Sequence, residues 1–273
     1  MLWSRVLTAL VLAPLAIAAI LLLETAYFAA VLGVLVLVGA AELARLSGLA
    51  GMAASMAFAG LVAIALWFAW TLLDSRSLHW ALWLLAGWWC ATTAVLLARR
   101  AQLARVTGVR IGNLVLGGLL LAGAWASVVA LHRTANGQVL VLYLFVLIWL
   151  ADSGAYFAGR ALGRHKLSPA VSPGKTWEGA AGGLAGALLA ALALVLGGFA
   201  GPLPLAAFVA LSLLVALVSI GGDLWESRLK REAGVKDSGS LLPGHGGMLD
   251  RVDSLIAAAP VYVLGLTLIR GSL

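Results

Sequence analysis

The sequence predicts an all-α polytopic integral membrane protein with about nine transmembrane helices. Mean hydropathy is +1.06 and only 11% of the 273 residues are charged, whereas soluble domains carry about 25% charged residues. Apolar runs between polar breaks match the ~17–25 residues that cross a bilayer as a helix, and their continuous apolar character excludes the alternating strands of a barrel. The predicted spans are approximately residues 6–23, 26–44, 49–73, 78–98, 111–131, 138–158, 177–197, 203–224 and 253–270.

The first apolar run has a second interpretation. Residues 1–23 could be a signal peptide, with Arg5 as the basic start and Ala16-Ile17-Ala18 as a weak cleavage site. The eight further spans favour a first transmembrane helix instead.

The distribution of basic residues predicts the orientation. Fifteen of the eighteen Lys and Arg fall on the side that holds the N-terminus and the loops 45–48, 99–110, 159–176 and 225–252. By the positive-inside rule this side is cytoplasmic, so the N-terminus is inside and the C-terminus outside. The net charge of +7 therefore reflects topology, and no basic-aromatic module for nucleic acid is visible. The single Cys90 excludes an intramolecular disulfide and a Cys-based zinc site.

The chain changes character near residue 150. Residues 1–150 are rich in Leu, Ala, Val and Trp, and predict transmembrane helices that form a scaffold and lipid cleft. Within them, Glu42 and Arg45 are expected to pair on one helix face. Residues 151–273 predict a catalytic transmembrane region with two long cytoplasmic loops, 159–176 and 225–252.

The first polar region combines an acid inside a span with a basic loop. Asp152 lies within an apolar run, where an ionisable group is costly and indicates function. The stretch Ser172-Pro173-Gly174-Lys175-Thr176 offers hydroxyls and an ammonium just before a helix, which suits a phosphate at a helix N-terminus. A plain basic membrane-surface loop is the alternative, since the positive-inside rule would also produce one.

Four glycines follow this loop at a spacing of four. Gly179 with Gly183, and Gly182 with Gly186, would let helix backbones approach closely. The pattern predicts close packing within the bundle or at a dimer contact.

The second loop has a different balance of charge. Between residues 226 and 253 five bases stand against five acids, and Asp223 precedes them as a further acid. Asp250 and Asp253 are three positions apart and project from one helix face. Mg²⁺ would relieve their repulsion. The alternative is neutralisation by nearby bases, namely Arg251 and Lys236.

A glycine-rich stretch and the choice of lysine point to anion binding in the same loops. Residues 243–247, Pro-Gly-His-Gly-Gly, would let backbone N–H groups approach an anion. Arg outnumbers Lys in this chain, yet all four lysines lie in these two loops. Retained lysines suggest sites that need a compact point charge.

These motifs resemble a known family. Residues 227–253, SRLKREAGVKDSGSLLPGHGGMLDRVD, are similar at every position to the signature of phosphatidate cytidylyltransferases, the CDP-diacylglycerol synthases. Its parts are Ser, an apolar residue, Lys-Arg, Lys-Asp, Pro, His-Gly-Gly and Asp-Arg-x-Asp. Residues 152–179 resemble the family's other cytoplasmic segment. The resemblance covers the chain from about residue 150 to its end.

The resemblance implies a reaction and its place. CTP and phosphatidic acid would give CDP-diacylglycerol and pyrophosphate, for phospholipid biosynthesis. Because CTP is cytosolic and the acceptor phosphate lies at the headgroup plane, the chemistry is expected at the inner ends of spans six, eight and nine. The composition, rich in Arg, Ala, Gly and Leu, fits a GC-rich bacterium and hence its cytoplasmic membrane. The family also implies a homodimer.

The resemblance further implies roles for individual residues. A two-cation site, with Mg²⁺ as one cation, would be held by Asp223, Asp250 and Asp253, with Asp250 central. Triphosphate oxygens would be held by Ser172, Lys175 and Thr176 of the first loop, and by Lys236 and the turn at residues 243–247 of the second. Asp152 would lie nearby. The expected catalytic residues are Asp250, Asp223, Lys236 and Arg251, and the expected substrate-binding residues are Ser172, Lys175, Thr176, Gly244, His245, Gly246, Gly247 and Asp152.

Two other functions remain open on the residues. A CTP-dependent lipid kinase would use similar basic loops but transfer the γ-phosphate to a lipid alcohol. A transporter or channel would also carry intramembrane acids and glycine-rich helices. A transporter would show an inverted repeat and midplane charges, whereas here the acids lie at cytoplasmic span ends and no repeat is visible.

Overall fold

The protein is a helix bundle with one small sheet. The computed structural model describes residues 2–98, 108–199, 203–239, 241 and 246–271, with side chains from residue 10 onward. Within these ranges the chain forms nine α-helices, eight of them long and apolar enough to cross a bilayer. The predicted polytopic helical architecture is thereby confirmed. The helices are α1 (Leu2–Leu22), α2 (Thr25–Leu46), α3 (Met52–Thr71), α4 (Arg76–Ala98), α5 (Ile111–His132), α6 (Gly137–Leu162), α7 (Trp177–Leu196), α8 (Leu205–Glu232) and α9 (Leu249–Arg270).

A β-hairpin between α6 and α7 corrects the all-α prediction, which had a loop at 159–176. Strands β1 (Lys166–Ser168) and β2 (Ser172–Thr176) pair antiparallel. The hairpin has a physical reason, because Leu167 and Val171 are buried in a small apolar cluster with Leu96 of α4 and Leu224 of α8. This contact holds the basic hairpin against the end of α8.

Helix α8 is longer than predicted and shortens the second loop. It runs to Glu232, although the span was expected to end at residue 224. Ion pairs one turn apart stabilise the charged extension: Lys230 lies 2.5 Å from Glu226, and Arg228 lies 2.7 Å from Glu232. Helix α9 begins at Leu249, four residues earlier than predicted. The charged residues of the signature are therefore mostly helical.

Helix α9 lies at the centre of the bundle. In its most apolar stretch 78% of residues are buried, the highest share among the eight candidate spans of the described chain. It packs against α8, α5, α4, α2 and α6. The N-terminal and C-terminal regions therefore share one hydrophobic core.

Helices α6 and α7 approach each other through glycines, as predicted. A Cβ atom added at Gly182 would collide with the Ala158 Cβ and lie 2.6 Å from the Gly154 carbonyl oxygen. A Cβ at Gly183 would lie 3.0 Å from the Ala151 oxygen, and one at Gly186 would lie 2.5 Å from the Leu150 oxygen. The close packing is thus confirmed within the bundle.

A buried histidine links helices at the end of the bundle opposite the polar loops. The His132 Nε2 atom lies 2.9 Å from the Ile20 carbonyl oxygen, and Nδ1 lies 3.0 Å from Thr25 Oγ1. Because a carbonyl oxygen only accepts, Nε2 carries the proton and Nδ1 accepts from the threonine. This contact docks α2 against α5 at the end of the bundle opposite the polar loops.

The α6–α7 contact predicts opposite effects of one substitution at two glycines. Gly182→Ala is expected to destabilise the protein by about 1–3 kcal/mol, because the added methyl overpacks the interface. Gly60→Ala in α3, where a Cβ meets nothing within 4 Å, should leave stability unchanged or raise it by about 0.5–1 kcal/mol. Melting temperatures of the detergent-purified variants measure both effects. Equal melting temperatures would contradict the close α6–α7 contact.

Candidate functional site

Six helix ends meet at one end of the bundle: the C-terminal ends of α2, α6 and α8 and the N-terminal ends of α5, α7 and α9. Arg110, just before α5, donates its backbone N–H to the Ser47 oxygen at 2.9 Å, and its guanidinium pairs with Glu232 of α8. The Trp177 N–H, at the start of α7, donates to the His165 oxygen at 2.9 Å. Asp152, Lys175, Asp223, Asp250 and Asp253, which the sequence predicted as site residues, lie at this end of the bundle.

Three carboxylates from α6, α8 and α9 form what we call the acid cluster: Asp152, Asp223 and Asp253. The charges of all three act on one another. Tight helix contacts bring them together, since a Cβ at Gly222 of α8 would collide with the Asp253 carbonyl oxygen. Lys175 of the hairpin reaches into the cluster, with its Nζ atom 2.6 Å from Asp223 Oδ2. The structure thus brings residues of both loops to one point.

The acid cluster has the chemistry of a cation site. Asp223 also accepts a hydrogen bond from Ser227 Oγ at 3.1 Å, whereas Asp253 receives its hydrogen bond from the adjacent Ser254 N–H at 2.6 Å. Among the described residues, Lys175 supplies the one ammonium at ion-pair distance from the acid cluster, and it contacts Asp223. Carboxylate oxygens are the ligands of hard cations such as Mg²⁺. No group of three acid, His or Cys side chains in the described chain is arranged around a metal position.

Asp250 has a different environment from the acid cluster. Its Oδ1 atom accepts from Lys230 Nζ at 2.5 Å. Its Oδ2 atom lies within 2.9 Å of the Ser238 N–H, the Ser238 hydroxyl and the Gly247 N–H. Gly246 permits this turn, because its φ of +77° is left-handed and a Cβ there would lie 2.6 Å from Asp250 Oδ2. Asp250 thus organises the segment before α9.

Glu226 lies between the acid cluster and Asp250, and it was not among the predicted site residues. Its side chain is fully buried, and its charge acts on both Asp253 and Asp250. Lys230 pairs with it at 2.5 Å, although neither carboxylate oxygen receives a well-directed hydrogen bond in the described chain. Its position three residues after Asp223 places it on the same face of α8, and that spacing was the available signal.

Glu42 does not pair with Arg45 in the described part of the chain, contrary to the prediction. It is 1% exposed and accepts hydrogen bonds from the backbone N–H groups of Met248 and Leu249, at 3.0 and 2.7 Å. The pairing prediction was wrong because the carboxylate turns inward to the N-terminus of α9. An acid in an otherwise apolar helix was the signal in the sequence.

The predicted phosphate-binding residues of the hairpin differ in their exposure to solvent. Pro173 and Gly174 are exposed, and Ser172 and Lys175 are half-buried. Thr176 is buried, and its hydroxyl oxygen accepts the Gly179 N–H at 3.0 Å as the N-cap of α7. The structure therefore gives the Thr176 oxygen a capping contact at the position where phosphate binding was expected.

The remaining expected site residues lie around these groups. Arg251 is exposed, and its charge acts on Asp152. Lys236 is exposed in the segment after α8. The N–H of Gly247 binds Asp250, next to the turn at Gly246. Gly244 and His245 lie outside the described residues.

The fold and this site define a class: a multi-pass membrane protein with an acid cluster and a basic hairpin at one end of its helix bundle. The Cytidylyltransferase family model matches residues 3–269, and the chain belongs to that family. The resemblance found in the sequence is thereby confirmed.

Several curated relatives are named phosphatidate cytidylyltransferase. A phosphatidate cytidylyltransferase of Pseudomonas aeruginosa is 45% identical over 262 residues, which cover 96% of each chain. One from Brucella suis is 41% identical over 229 residues, covering 74% of this chain and 80% of the relative. One from Haemophilus influenzae is 52% identical over 134 residues, covering 48% of this chain and 46% of the relative.

The capping contact of Thr176 predicts the effect of removing its hydroxyl. Thr176→Val keeps the branched shape but removes the acceptor for the Gly179 N–H, and is expected to cost about 1 kcal/mol. Thr176→Ser keeps an acceptor and should retain most of the stability. The measurement is the melting temperature of the three detergent-purified proteins. A valine variant as stable as wild type would contradict the capping role.

Proposed function

We propose that this chain transfers the cytidylyl group of CTP to phosphatidic acid, giving CDP-diacylglycerol and pyrophosphate for phospholipid biosynthesis. The observation that carries the proposal is the meeting of a basic hairpin with an acid cluster, with Lys175 Nζ 2.6 Å from Asp223 Oδ2. Membership of the cytidylyltransferase family and the relatives named phosphatidate cytidylyltransferase support it.

The reaction joins two anions, so the site must reduce the electrostatic repulsion between them. A phosphate oxygen of phosphatidic acid attacks the α-phosphorus of CTP, the bond to the pyrophosphate oxygen breaks, and pyrophosphate leaves from the opposite side. The attacking oxygen is already ionised at neutral pH, so no general base is required and none is assigned to His245. The main barrier is electrostatic repulsion, which fixed positive groups lower.

Side chains from both loops supply the positive charge and the donors. Lys175 and Ser172 of the hairpin would bind triphosphate oxygens, together with Lys236 after α8. The backbone around Gly246 and Gly247, with Gly244 and His245 before it, would add N–H donors. Arg251 would offset the charge of Asp152 beside the reacting phosphates. Thr176 contributes by setting the start of α7.

Mg²⁺ is the cation that these carboxylates would hold. We place it at Asp223 and Asp253, with Asp152 beside them, because these acids outnumber the cations near them. Asp250 would join this set if Lys230 left its Oδ1 atom. A second cation would lie toward Glu226, whose charge acts on Asp250 and Asp253. Bound Mg²⁺ would neutralise the phosphate charge that builds up during transfer.

The side of the membrane that the site faces is inferred from the distribution of basic residues. We propose that the N-terminus and the site face the cytosol and that the C-terminus lies outside, in the cytoplasmic membrane of a bacterium. The excess of Lys and Arg on the site side supports this orientation, and the relatives are bacterial. The homodimer stays a prediction.

Radiolabelled CTP tests the proposed reaction. The detergent-purified protein is incubated with α-³²P-labelled CTP and phosphatidic acid, with and without Mg²⁺, and the lipid phase is separated. Label is expected in the lipid only when phosphatidic acid and Mg²⁺ are both present. Label that enters the lipid from γ-³²P-CTP instead would replace the proposal with a lipid kinase, and no label from either would overturn both.

Asp250→Asn tests the site within the same assay. The amide keeps the shape but loses the charge that faces Lys230, and its NH₂ group opposes the donors of Ser238 or Gly247. We expect the rate to fall by about 100-fold or more while the protein still inserts. Asp74→Asn, at the opposite end of the bundle, is the matched control and should transfer label at the wild-type rate. An Asp250→Asn rate above about a tenth of wild type would contradict the assignment.

Cysteine labelling tests the orientation. In a Cys90→Ser background, Ala170→Cys places a thiol on the exposed turn of the hairpin, and Ser77→Cys places one at the other end of the bundle. A membrane-impermeant maleimide should label the residue 170 variant only in inverted vesicles and the residue 77 variant only in right-side-out vesicles. The reverse pattern would show that the site faces outward.

A further inference from the structure

Glu42 is a buried carboxylate from the N-terminal scaffold that reaches into the signature region. It is 1% exposed, and no Lys, Arg or His lies at ion-pair distance from it in the described chain. An unpaired buried charge is costly unless hydrogen bonds satisfy it. Three donors do so here: the N–H groups of Met248 and Leu249 and the hydroxyl of Ser238, at 2.7–3.0 Å.

Glu42 supplies a cap that α9 lacks in its own sequence. The N-cap residue Met248 offers no side-chain hydrogen bond. Three successive N–H groups at this helix start are bound by two acids, with Gly247 donating to Asp250 and the next two donating to Glu42. Negative charge at a helix N-terminus is favourable because it faces the positive end of the helix dipole.

The α8–α9 connection comprises residues 233–248, and its described residues Ser238, Gly239 and Gly247 lie close around this carboxylate. A Cβ added at Gly239 would lie 2.5 Å from Glu42 Oε1, and one at Gly247 would collide with Glu42 Oε2. The Ser238 hydroxyl lies between two acids, 2.9 Å from Glu42 Oε2 and 2.8 Å from Asp250 Oδ2. Beside the Glu42 carboxylate, positions 239 and 247 therefore have room only for glycine.

We propose that Glu42 is a positioning residue of the site: it fixes the α8–α9 connection and Asp250 relative to the bundle. This inference rests on the proposed cytidylyl transfer. Glu42 touches no reacting atom. It acts through Ser238 and the start of α9, which set the positions of Asp250 and the Gly247 backbone N–H.

A positioning role and a merely structural role differ in what they change. If Glu42 only stabilised the bundle, its loss would lower the amount of active enzyme and leave the KM for CTP unchanged. If Glu42 positions the connection, its loss displaces groups that bind the nucleotide, so the KM for CTP rises. The KM for CTP and the local exchange of backbone amides separate these roles.

Glu42→Gln is the direct test. Glutamine keeps the shape, but its amide has only one acceptor oxygen, so one of the two α9 N–H groups faces another donor. Hydrogen–deuterium exchange of the peptide containing Met248 and Leu249 should become about tenfold faster. In the same preparation the KM for CTP should rise about tenfold.

Thr25→Val is the matched control. It removes a hydroxyl that α2 uses to contact His132 at the other end of the helix, 3.0 Å from the ring. It should change neither the exchange of the Met248–Leu249 peptide nor the KM for CTP. A control that shifted the KM as much as Glu42→Gln would assign the effect to general α2 docking and overturn the inference.

Ser238→Ala keeps the inference testable if Glu42→Gln does not fold. It leaves the two bonds from Glu42 to α9 but cuts the hydroxyl link to Asp250. The KM for CTP should rise about fivefold, with exchange at Met248 and Leu249 unchanged. Wild-type KM values in both variants, or in Ser238→Ala alone where Glu42→Gln does not fold, would overturn the inference.

The same experiments distinguish a failure of the proposed reaction from a failure of the positioning role. A wild-type protein that transfers no label would overturn cytidylyl transfer. Faster exchange in Glu42→Gln would then still support the anchoring of the connection. An active wild type with unaltered exchange in Glu42→Gln would instead overturn the positioning role alone.

Discussion

The arrangement of this bundle depends on how one buried carboxylate is satisfied. Glu42 sits in α2 among apolar residues, and removing its charge from water is costly without donors. The free N–H groups at the start of α9 meet that need. Since α9 packs against five other helices of the bundle, the contact links the central helix to the N-terminal scaffold at the level of the site.

A second contact sets the other side of the site. Helices α6 and α7 approach each other closely through glycines, with small side chains such as the Ala158 methyl at the contact. The hairpin that joins them is therefore held close to the bundle, and its buried Leu167 and Val171 rest against α4 and α8. Lys175 meets Asp223 as a result. A glycine contact without chemistry of its own thus helps to place Lys175 beside the acid cluster.

Much of this architecture was predictable, and the failures have physical causes. Hydropathy located the spans because apolar runs of this length have few alternatives in a bilayer. It misplaced the end of α8, because charged residues suggested a loop where pairs such as Glu226 and Lys230 stabilise a helix. The hairpin was missed because its strands contain three and five residues and too few apolar positions to show a period.

Site residues were predictable where a charged side chain stands in or beside an apolar run, because burying a charge there is costly. Asp152, Asp223 and Asp253 stood out because they occur in or beside apolar runs, and the structure brings them together. Glu42 was misassigned because its partners lie more than 200 positions away in the chain. Local spacing suggested Arg45, but burial favours donors that remain fixed inside the protein, and only the fold shows where those are.

The pairing of charges at this end of the bundle bears on the proposed binding of a nucleotide with its cation. Lys230 serves Glu226 and Asp250, and Glu232 receives Arg110 and Arg228. Together those groups hold three positive and three negative charges, whereas the acid cluster relies on Lys175. A polyanion that drew Lys175 toward its phosphates would leave Asp223 without its ammonium, and a cation alone would compete with Lys175 for the same carboxylate. Binding of both together keeps the lysine and the carboxylates neutralised, so the two ligands should bind cooperatively.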